Sequence, residues 1–316
     1  MSMTKETKAT RFGYSDGLLE LLKENKNIMV LDADLSKSTT TNRIKEAFPE
    51  HFVNVGIAEQ NMLGIAAGLS LGGYVSYVST YGVFVAGRAF DQIRTTICYS
   101  KLNVKIGGAH GGISVGPDGA THQALEEISI MRAIPEMKVI VPCDVHQTKK
   151  ATIAAFHIPG PVYIRFGREP IPIITEENTP FEFGKAEVFK QGKDVSIFAC
   201  GVMVYEALMA AEELEKEGIG VNVVNFHTIK PLDTEAVIRF ASQTGAVVTA
   251  EEHQLFGGFG SAIAEVLVQH HPVPVEMVGI EDTFGESGSP DQLMAAYHLT
   301  SKDIYQKAKR VLTRKM

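Results

Sequence analysis

Short apolar runs rich in β-branched residues alternate with segments of helical period, and this alternation restricts the fold more than any other feature. In the first half of the chain, strands are predicted at 28–34, 52–56, 74–79, 103–108, 138–142 and 162–166. Helical segments fit between them at 59–71, 83–100, 123–134 and 145–157. The pattern is typical of an α/β fold, in which a mostly parallel sheet has helices on both faces.

The alternation stops in a proline-rich stretch and then starts again. Residues 166–184 include Pro170, Pro172 and Pro180 and follow neither period. Further strands are predicted beyond this stretch at 195–201, 221–226, 246–252 and 275–280, with helices at 203–217, from Asp233 and at 258–269. The chain has 316 residues, of which 45% are hydrophobic, enough for two cores. We therefore predict two α/β domains, 1–168 and 185–316, joined by a linker at 169–184.

Composition argues against several classes of partner. The net charge is −7, and the lysines and arginines are scattered, so no basic face for nucleic acid or an anionic membrane is indicated. The three cysteines lie far apart in apolar contexts, which is typical of reduced thiols. The N-terminus lacks the apolar core of a signal peptide, and no run approaches 18 apolar residues. We expect a soluble, cytoplasmic protein.

A glutamate follows the second predicted strand and opens the helix at 59–71. Glu59 has two interpretations. It could simply favour the positive end of the helix dipole. Alternatively, it lies at the carboxyl edge of a parallel sheet, where α/β folds bind ligands, and apolar surroundings would raise its pKa so that it can hold a proton. Glu59 alone does not decide between the two.

Two further segments carry candidate site residues. Tyr81 and Phe84 follow a strand with helical spacing, as a core pair or a stacking surface would. The segment 107–127 contains six glycines, one proline, His110, His122 and Asp118. It matches neither dinucleotide nor P-loop glycine patterns, and no third residue follows at a metal-ligand spacing. Hydrogen bonding to a polyhydroxy substrate is the favoured interpretation of this loop.

Taken together, these segments resemble the pyrimidine-binding and C-terminal domains of transketolase. The resemblance extends from about Asp32 to about Asp282 and includes several separate blocks in the same order. The blocks are ADLS at 33–36, GIAEQN at 56–61, STYGVFVAGRAFDQIR at 79–94, the glycine-rich loop, IRFGR at 164–168 and FHTIKPLD at 226–233. The segment 249–267 is also similar to 1-deoxyxylulose-5-phosphate synthases and to 2-oxoacid dehydrogenase β subunits.

The resemblance implies thiamine diphosphate as the cofactor. In this family, a glutamate at the position of Glu59 bonds the aminopyrimidine ring and activates the coenzyme. Tyr81 and Phe84 match the aromatic residues that pack on that ring, and Asp34 lies in a loop that approaches the coenzyme. The coenzyme then carries a two-carbon ketol unit from a ketose phosphate to an aldose phosphate.

The resemblance also implies residues for the phosphorylated sugars. Ser38 and Arg168 match groups that contact the substrate phosphate, for which a guanidinium fork is well suited. His110, Asp118 and His122 match groups that bind sugar hydroxyls. The two histidines and the glutamate at the helix start form the implied catalytic set.

One departure concerns the diphosphate and its metal. Thiamine-diphosphate enzymes bind both through a G-D-G sequence followed by an asparagine, and the chain has no G-D-G. Mg²⁺ needs oxygen ligands at octahedral geometry, so its ligands are expected from another polypeptide. We therefore predict no metal ligand in this chain and a partner subunit that corresponds to the N-terminal half of transketolase. We expect two copies of this chain and two copies of the partner subunit to form an α2β2 assembly.

Three alternatives stay open at this stage. A 2-oxoacid dehydrogenase β subunit also lacks G-D-G, but His110 and AEQN at 58–61 favour transketolase. A deoxyxylulose phosphate synthase would share GPDGATHQ at 116–123, yet it has an arginine near the start of the loop where this chain has Ala109 and His110. A catalytically silent module with the same fold is the third alternative, because fold does not imply function.

Overall fold

The computed structural model describes residues 6–315 and contains two large sheets with helices on both faces and one two-stranded sheet. Within these residues the strands are β1 (Thr7–Ala9), β2 (Ile28–Asp32), β3 (Phe52–Asn54), β4 (Val75–Tyr81), β5 (Val104–Ala109), β6 (Lys138–Ile140), β7 (Val162–Phe166), β8 (Pro170–Pro172), β9 (Glu187–Lys190), β10 (Val195–Ala199), β11 (Val221–Asn225), β12 (Thr228–Lys230), β13 (Val247–Gln254) and β14 (Val275–Ile280). The α-helices are α1 (Thr10–Glu24), α2 (Ser36–Thr39), α3 (Asn42–Ala47), α4 (Glu59–Leu71), α5 (Gly82–Arg88), α6 (Glu127–Ala133), α7 (Val145–His157), α8 (Met203–Lys216), α9 (Thr234–Thr244), α10 (Phe259–His270), α11 (Pro290–Ala296) and α12 (Ser301–Thr313).

The first sheet has seven strands in the order β12-β6-β7-β5-β4-β2-β3, and the second has five in the order β14-β13-β10-β11-β9. The strands are parallel except for β12 and β9, which pair antiparallel at one edge of each sheet. The central strands are buried along their whole length, as parallel strands covered on both faces must be. This architecture confirms the predicted fold class.

Helices cover both faces of the first sheet. On one face, α1 packs on α7, and Tyr14, Leu18 and Leu22 fill the space above the strands. This packing is close because a Cβ at Gly13 would lie 2.2 Å from the Val145 carbonyl oxygen. On the other face, α4, α5 and α6 contribute to an apolar cluster that continues into the second sheet.

Several elements differ from the sequence-based expectation. The helix expected at 83–100 is divided into α5 and a π-helix, Gln92–Cys98. The expected linker contains β8, which pairs antiparallel with β1. Strand β12, far along the chain, joins the edge of the first sheet beside β6.

The carboxyl ends of the first sheet's parallel strands meet at one edge, where α/β folds bind ligands. Asp34 follows β2, Tyr81 ends β4, His110 follows β5 and Arg168 follows β7. In the part of the chain that the structure describes, no helix is long and apolar enough to cross a membrane. The thiols of Cys98, Cys143 and Cys200 are free and buried.

Candidate active site

Four rings from three segments form the centre of the site. Tyr81 at the end of β4 stacks on His110, with ring centroids 4.0 Å apart, and on Phe84 of α5 at 5.5 Å. His122 meets Tyr81 and Phe84 edge-on at 5.9 Å and 5.3 Å. The structure therefore brings together four of the residues that the sequence singled out, in one cluster of packed rings.

His110 is held in an unusual state. Its backbone has a φ of 57°, which residues other than glycine rarely adopt, and the residue is 1% exposed. Burial, and then Arg11, Arg168 and His122, lower the pKa of His110 to about 3. Its Nδ1 atom is buried without a hydrogen-bond partner in the structure. The imidazole is therefore neutral at physiological pH and has a free nitrogen for a ligand hydroxyl.

Glu59 is the first residue of α4 and is 5% exposed. We expected apolar surroundings, whereas Arg88 Nη1 lies 3.0 Å from Glu59 Oε1. The same guanidinium stacks on Phe84, with Cζ 4.0 Å from the ring centroid. Arg88 thus links the carboxylate to the ring cluster.

Arg168, one of the two predicted phosphate-binding residues, belongs to a group of charged side chains. Arg168 Nη1 lies 2.8 Å from Asp118 Oδ1, and its Nε lies 3.2 Å from Glu169 Oε1. Arg11, in the first turn of α1, donates from Nη1 to the Ser38 carbonyl oxygen at 3.0 Å. Burial and the charge of Arg168 lower the pKa of Arg11. Two guanidinium groups therefore lie close together at this end of the site.

Arg88 and Arg11 are both absent from the predicted site residues, and Arg11 is the harder of the two to predict. Its Nε is buried without a partner in the structure. Nothing in the local sequence marks it, because α1 has glycine and serine among its buried residues and so shows a weak apolar period. If α1 had been predicted, Arg11 in its first turn would have been placed near the edge of the sheet.

Asp34 in the loop after β2 and Ser38 in α2 belong to a segment that is bonded to Asp32. The buried Asp32 carboxylate accepts hydrogen bonds from Thr39 Oγ1 at 2.9 Å, Thr41 Oγ1 at 2.8 Å and the Leu35 amide at 2.6 Å. Asp34 has a φ of 64° and accepts from Asn54 Nδ2 at 3.0 Å. It therefore lies on the β3 side of the site, toward the edge of the sheet.

Within residues 6–315 no group of three or more histidine, cysteine, aspartate or glutamate side chains could hold a metal ion. A partner that supplies the metal ligands stays a prediction.

Two family models match the chain. The pyrimidine-binding domain of transketolase matches residues 6–172, and the C-terminal domain of transketolase matches residues 184–304.

Relatives and a solved structure match almost end to end. The 6-deoxy-6-sulfo-D-fructose transketolase subunit SqwH of Clostridium sp. (strain MSTE9) is 45% identical over 96% of this chain and 94% of that protein. One of the subunits of the apulose-4-phosphate transketolase of Phocaeicola vulgatus is 38% identical over 95% of this chain and 96% of its own length. A split gene transketolase, described as an inactive β4 tetramer, superimposes with a TM-score of 0.92 at 51% identity and covers 98% of this chain and 99% of that one.

Proposed function

Since the chain belongs to the transketolase family and matches subunits of split transketolases over nearly their whole length, we propose that it is one subunit of a thiamine-diphosphate-dependent transketolase. The reaction moves a two-carbon ketol unit from an anionic ketose to an aldose phosphate. The observation that carries the proposal is the buried Glu59 carboxylate at the start of α4, linked by Arg88 to the Tyr81–Phe84 ring pair.

These residues fit the aminopyrimidine half of the coenzyme. A flat heteroaromatic ring matches the stacked aromatic surface, and a carboxylate suits a ring nitrogen that shares a proton. When bound, thiamine diphosphate supplies the carbon nucleophile and the electron sink for cleavage of the C2–C3 bond of a ketose. Glu59 holds the proton at the ring nitrogen, and Arg88 orients its carboxylate.

The remaining residues orient the sugar. Neutral His110 accepts a hydrogen bond from a sugar hydroxyl, or donates one to it, through its unpaired Nδ1, and His122 lies edge-on to Tyr81 and Phe84 in the same ring cluster. Arg11, Arg168 and Ser38 bind the terminal anion of the substrate, since guanidinium groups pair well with such oxyanions. The names of the two relatives include one sulfonated and one phosphorylated sugar, so we propose a phosphate or sulfonate at this end.

A second polypeptide completes the site by holding Mg²⁺ and the diphosphate. The face of α4 beside Glu59 supports this proposal, because Gln60, Gly64, Gly68 and Leu71 are exposed along it. A Cβ at Gly64 or Gly68 would meet nothing within 4 Å, so neither glycine serves packing in this chain. Helical glycine is destabilising by roughly 0.5–1 kcal/mol relative to alanine, and close approach of another backbone is what it allows.

The test is Glu59→Gln in the enzyme reconstituted with its N-terminal-half subunit, Mg²⁺ and thiamine diphosphate. An amide cannot exchange the proton, so hydrogen–deuterium exchange at C2 of the bound coenzyme should slow by ~10²–10⁴, as for other general acid–base groups. NMR measures this rate directly. An unchanged rate would refute the role of Glu59.

Arg88→Gln is the matched control. It removes the ion pair but leaves the carboxylate, so the C2 exchange rate should fall less than in Glu59→Gln. Equal losses in both variants would show that the carboxylate acts only through its ion pair.

A further inference from the structure

A buried ion cluster joins the two sheets beneath the glycine-rich loop. It consists of Arg165 on β7, Glu127 at the start of α6 and Glu252 on β13, with side chains no more than 5% exposed. Arg165 Nε donates to Glu127 Oε1, and Arg165 Nη2 donates to the Glu252 carbonyl oxygen at 2.7 Å. Arg165 Nη1 lies 3.8 Å from Glu252 Oε2. The proposed reaction uses none of these three side chains.

The glycine-rich loop rests directly on this cluster. Glu252 Oε1 accepts a hydrogen bond from the Ser114 amide at 2.7 Å. A Cβ at Gly112 would lie 2.2 Å from Glu252 Cδ, and a Cβ at Gly111 would lie 2.6 Å from Arg165 Nε. The loop therefore needs glycine at both positions because charged side chains of the protein occupy the space.

The other end of the loop is also held, by residues 286 and 287 between β14 and α11. Gln123 Nε2 donates to the Glu286 carbonyl oxygen at 2.9 Å, and a Cβ at Gly119 would lie 2.6 Å from Ser287 Oγ. Asp118 lies between these two attachments, and His110 directly precedes Gly111 at the first one. Their positions therefore depend on Glu252 of the second sheet and on the segment between β14 and α11.

Stability alone does not account for such a cluster. Two buried carboxylates face one guanidinium, and Glu127 Oε2 has no hydrogen-bond partner in the structure. Well-packed apolar residues are often at least as stabilising as a buried ion cluster, whereas charged groups accept only a narrow geometry. The cluster is thus suited to fixing the path of the loop.

We propose that Glu252 is a positioning residue, which sets His110 and Asp118 for the sugar by holding the Ser114 amide and the backbone of Gly112. The assignment to sugar binding rests on the proposed function. The hold on the loop does not, and it can be measured without turnover.

The first experiment is hydrogen–deuterium exchange by mass spectrometry on the full chain, followed on peptides that cover 109–122. Glu252→Ala removes the acceptor of the Ser114 amide, so the loop should exchange ~10-fold or more faster, as expected for loss of one buried hydrogen bond to a charged group. Glu252→Gln keeps an oxygen acceptor and should restore protection to within about threefold of wild type, since a neutral hydrogen bond is the weaker one.

The control is Asp194→Ala. Asp194 also accepts a hydrogen bond from a backbone amide, that of Gly220 at 2.6 Å, but it lies just before β10, away from the loop. This variant should leave exchange at 109–122 unchanged. If Glu252→Ala does not fold, Glu252→Asp replaces it, because the shorter side chain also withdraws the carboxylate from Ser114.

The second experiment is kinetic, in the reconstituted enzyme. Glu252→Ala should raise KM for the aldose phosphate by ~10-fold or more, because small misplacement of binding groups has large effects. Its rate of C2 exchange in the coenzyme should stay close to wild type, and Glu252→Gln should restore KM.

Unchanged loop exchange in a folded Glu252→Ala chain would overturn the proposal, and so would faster exchange with an unchanged KM. A wild-type assembly without any turnover would instead contradict the proposed function, while the exchange data would still decide whether Glu252 holds the loop.

Discussion

At the scale of single residues, positive and negative side chains lie together at the end of the site proposed to bind the anion of the substrate. Arg11 and Arg168 lie close together, and Asp118 and Glu169 pair with Arg168. The carboxylates offset the repulsion between the guanidinium groups while no substrate is bound. A bound phosphate or sulfonate would take over that task.

Replacement of Arg168 by alanine should therefore depend on the substrate. Loss of a charge-assisted contact of ~1.5–3 kcal/mol lowers kcat/KM for ribose 5-phosphate by roughly 10–200-fold. Glycolaldehyde has no anion and should be nearly unaffected. The measurement is the ratio of the two losses in the reconstituted enzyme, with Glu169→Gln as a control that keeps the guanidinium. Equal losses on both acceptors would assign Arg168 to structure or to the coenzyme.

Lys105 is a second residue with a measurable consequence. It is fully buried on β5, where Nζ donates to the carbonyl oxygens of Ile158 and Gly160 at 2.5 Å and 2.7 Å. Burial, and then Lys138, lower its pKa to about 7. Below that pH the folded chain bears the full desolvation penalty of the charge, since both states are protonated.

Between pH 7 and about 10 the unfolded chain keeps this proton and the folded chain loses it. The free energy of unfolding should therefore rise with pH relative to Lys105→Met, with a slope approaching about 1.4 kcal/mol per pH unit. Urea unfolding of both chains across this range tests the sign. Parallel stability curves would show that Lys105 stays charged.

Among the elements, α4 was predicted with its observed limits, whereas α1 and the π-helix were not. In α4, small and apolar residues follow a strand without a break in the pattern. In α1, Gly13 and Gly17 are buried against α7, so an apolar period is lacking where the helix packs. The π-helix depends on hydrogen bonds of longer spacing that no local sequence pattern encodes.

The glycine-rich loop was recognised as a site element, but the reason for its glycines differs from the expectation. Such loops usually bring backbone close to a ligand. Here Gly111, Gly112 and Gly119 bring it close to Arg165, Glu252 and Ser287. These neighbours come from distant parts of the chain, so one sequence read locally could not reveal them.

The exposed glycines of α4 allow a prediction at the same scale. Gly68→Ala should stabilise the isolated chain by about 0.5–1 kcal/mol, because nothing in this chain opposes the new methyl group. Gly68→Leu should fold as well but lose association with the N-terminal-half subunit. Analytical ultracentrifugation and thermal unfolding measure the two effects, and Glu213→Leu on α8 is the control. Full association of the leucine variant would place the partner on another face.

For the whole molecule, no group of three or more histidine, cysteine, aspartate or glutamate side chains within residues 6–315 could hold the Mg²⁺ that accompanies the diphosphate. Calorimetry of the isolated chain with thiamine diphosphate and Mg²⁺ should show no tight binding, because we propose that the aromatic residues and Glu59 contact only the pyrimidine half of the coenzyme. Addition of the N-terminal-half subunit should bring binding into the micromolar range or tighter. Sub-micromolar binding by the chain alone would contradict the shared site.

The strand β12 has a consequence for synthesis. It belongs to the edge of the first sheet but emerges from the ribosome long after β7, at ~5–20 residues per second. Until then the outer edge of β6 presents unpaired amide and carbonyl groups, a template for pairing with other chains. During synthesis, the unpaired edge of β6 is therefore exposed to aggregation for seconds. That interval ends only after β9, β10 and β11 of the second sheet have been synthesised, because β12 follows them in the chain.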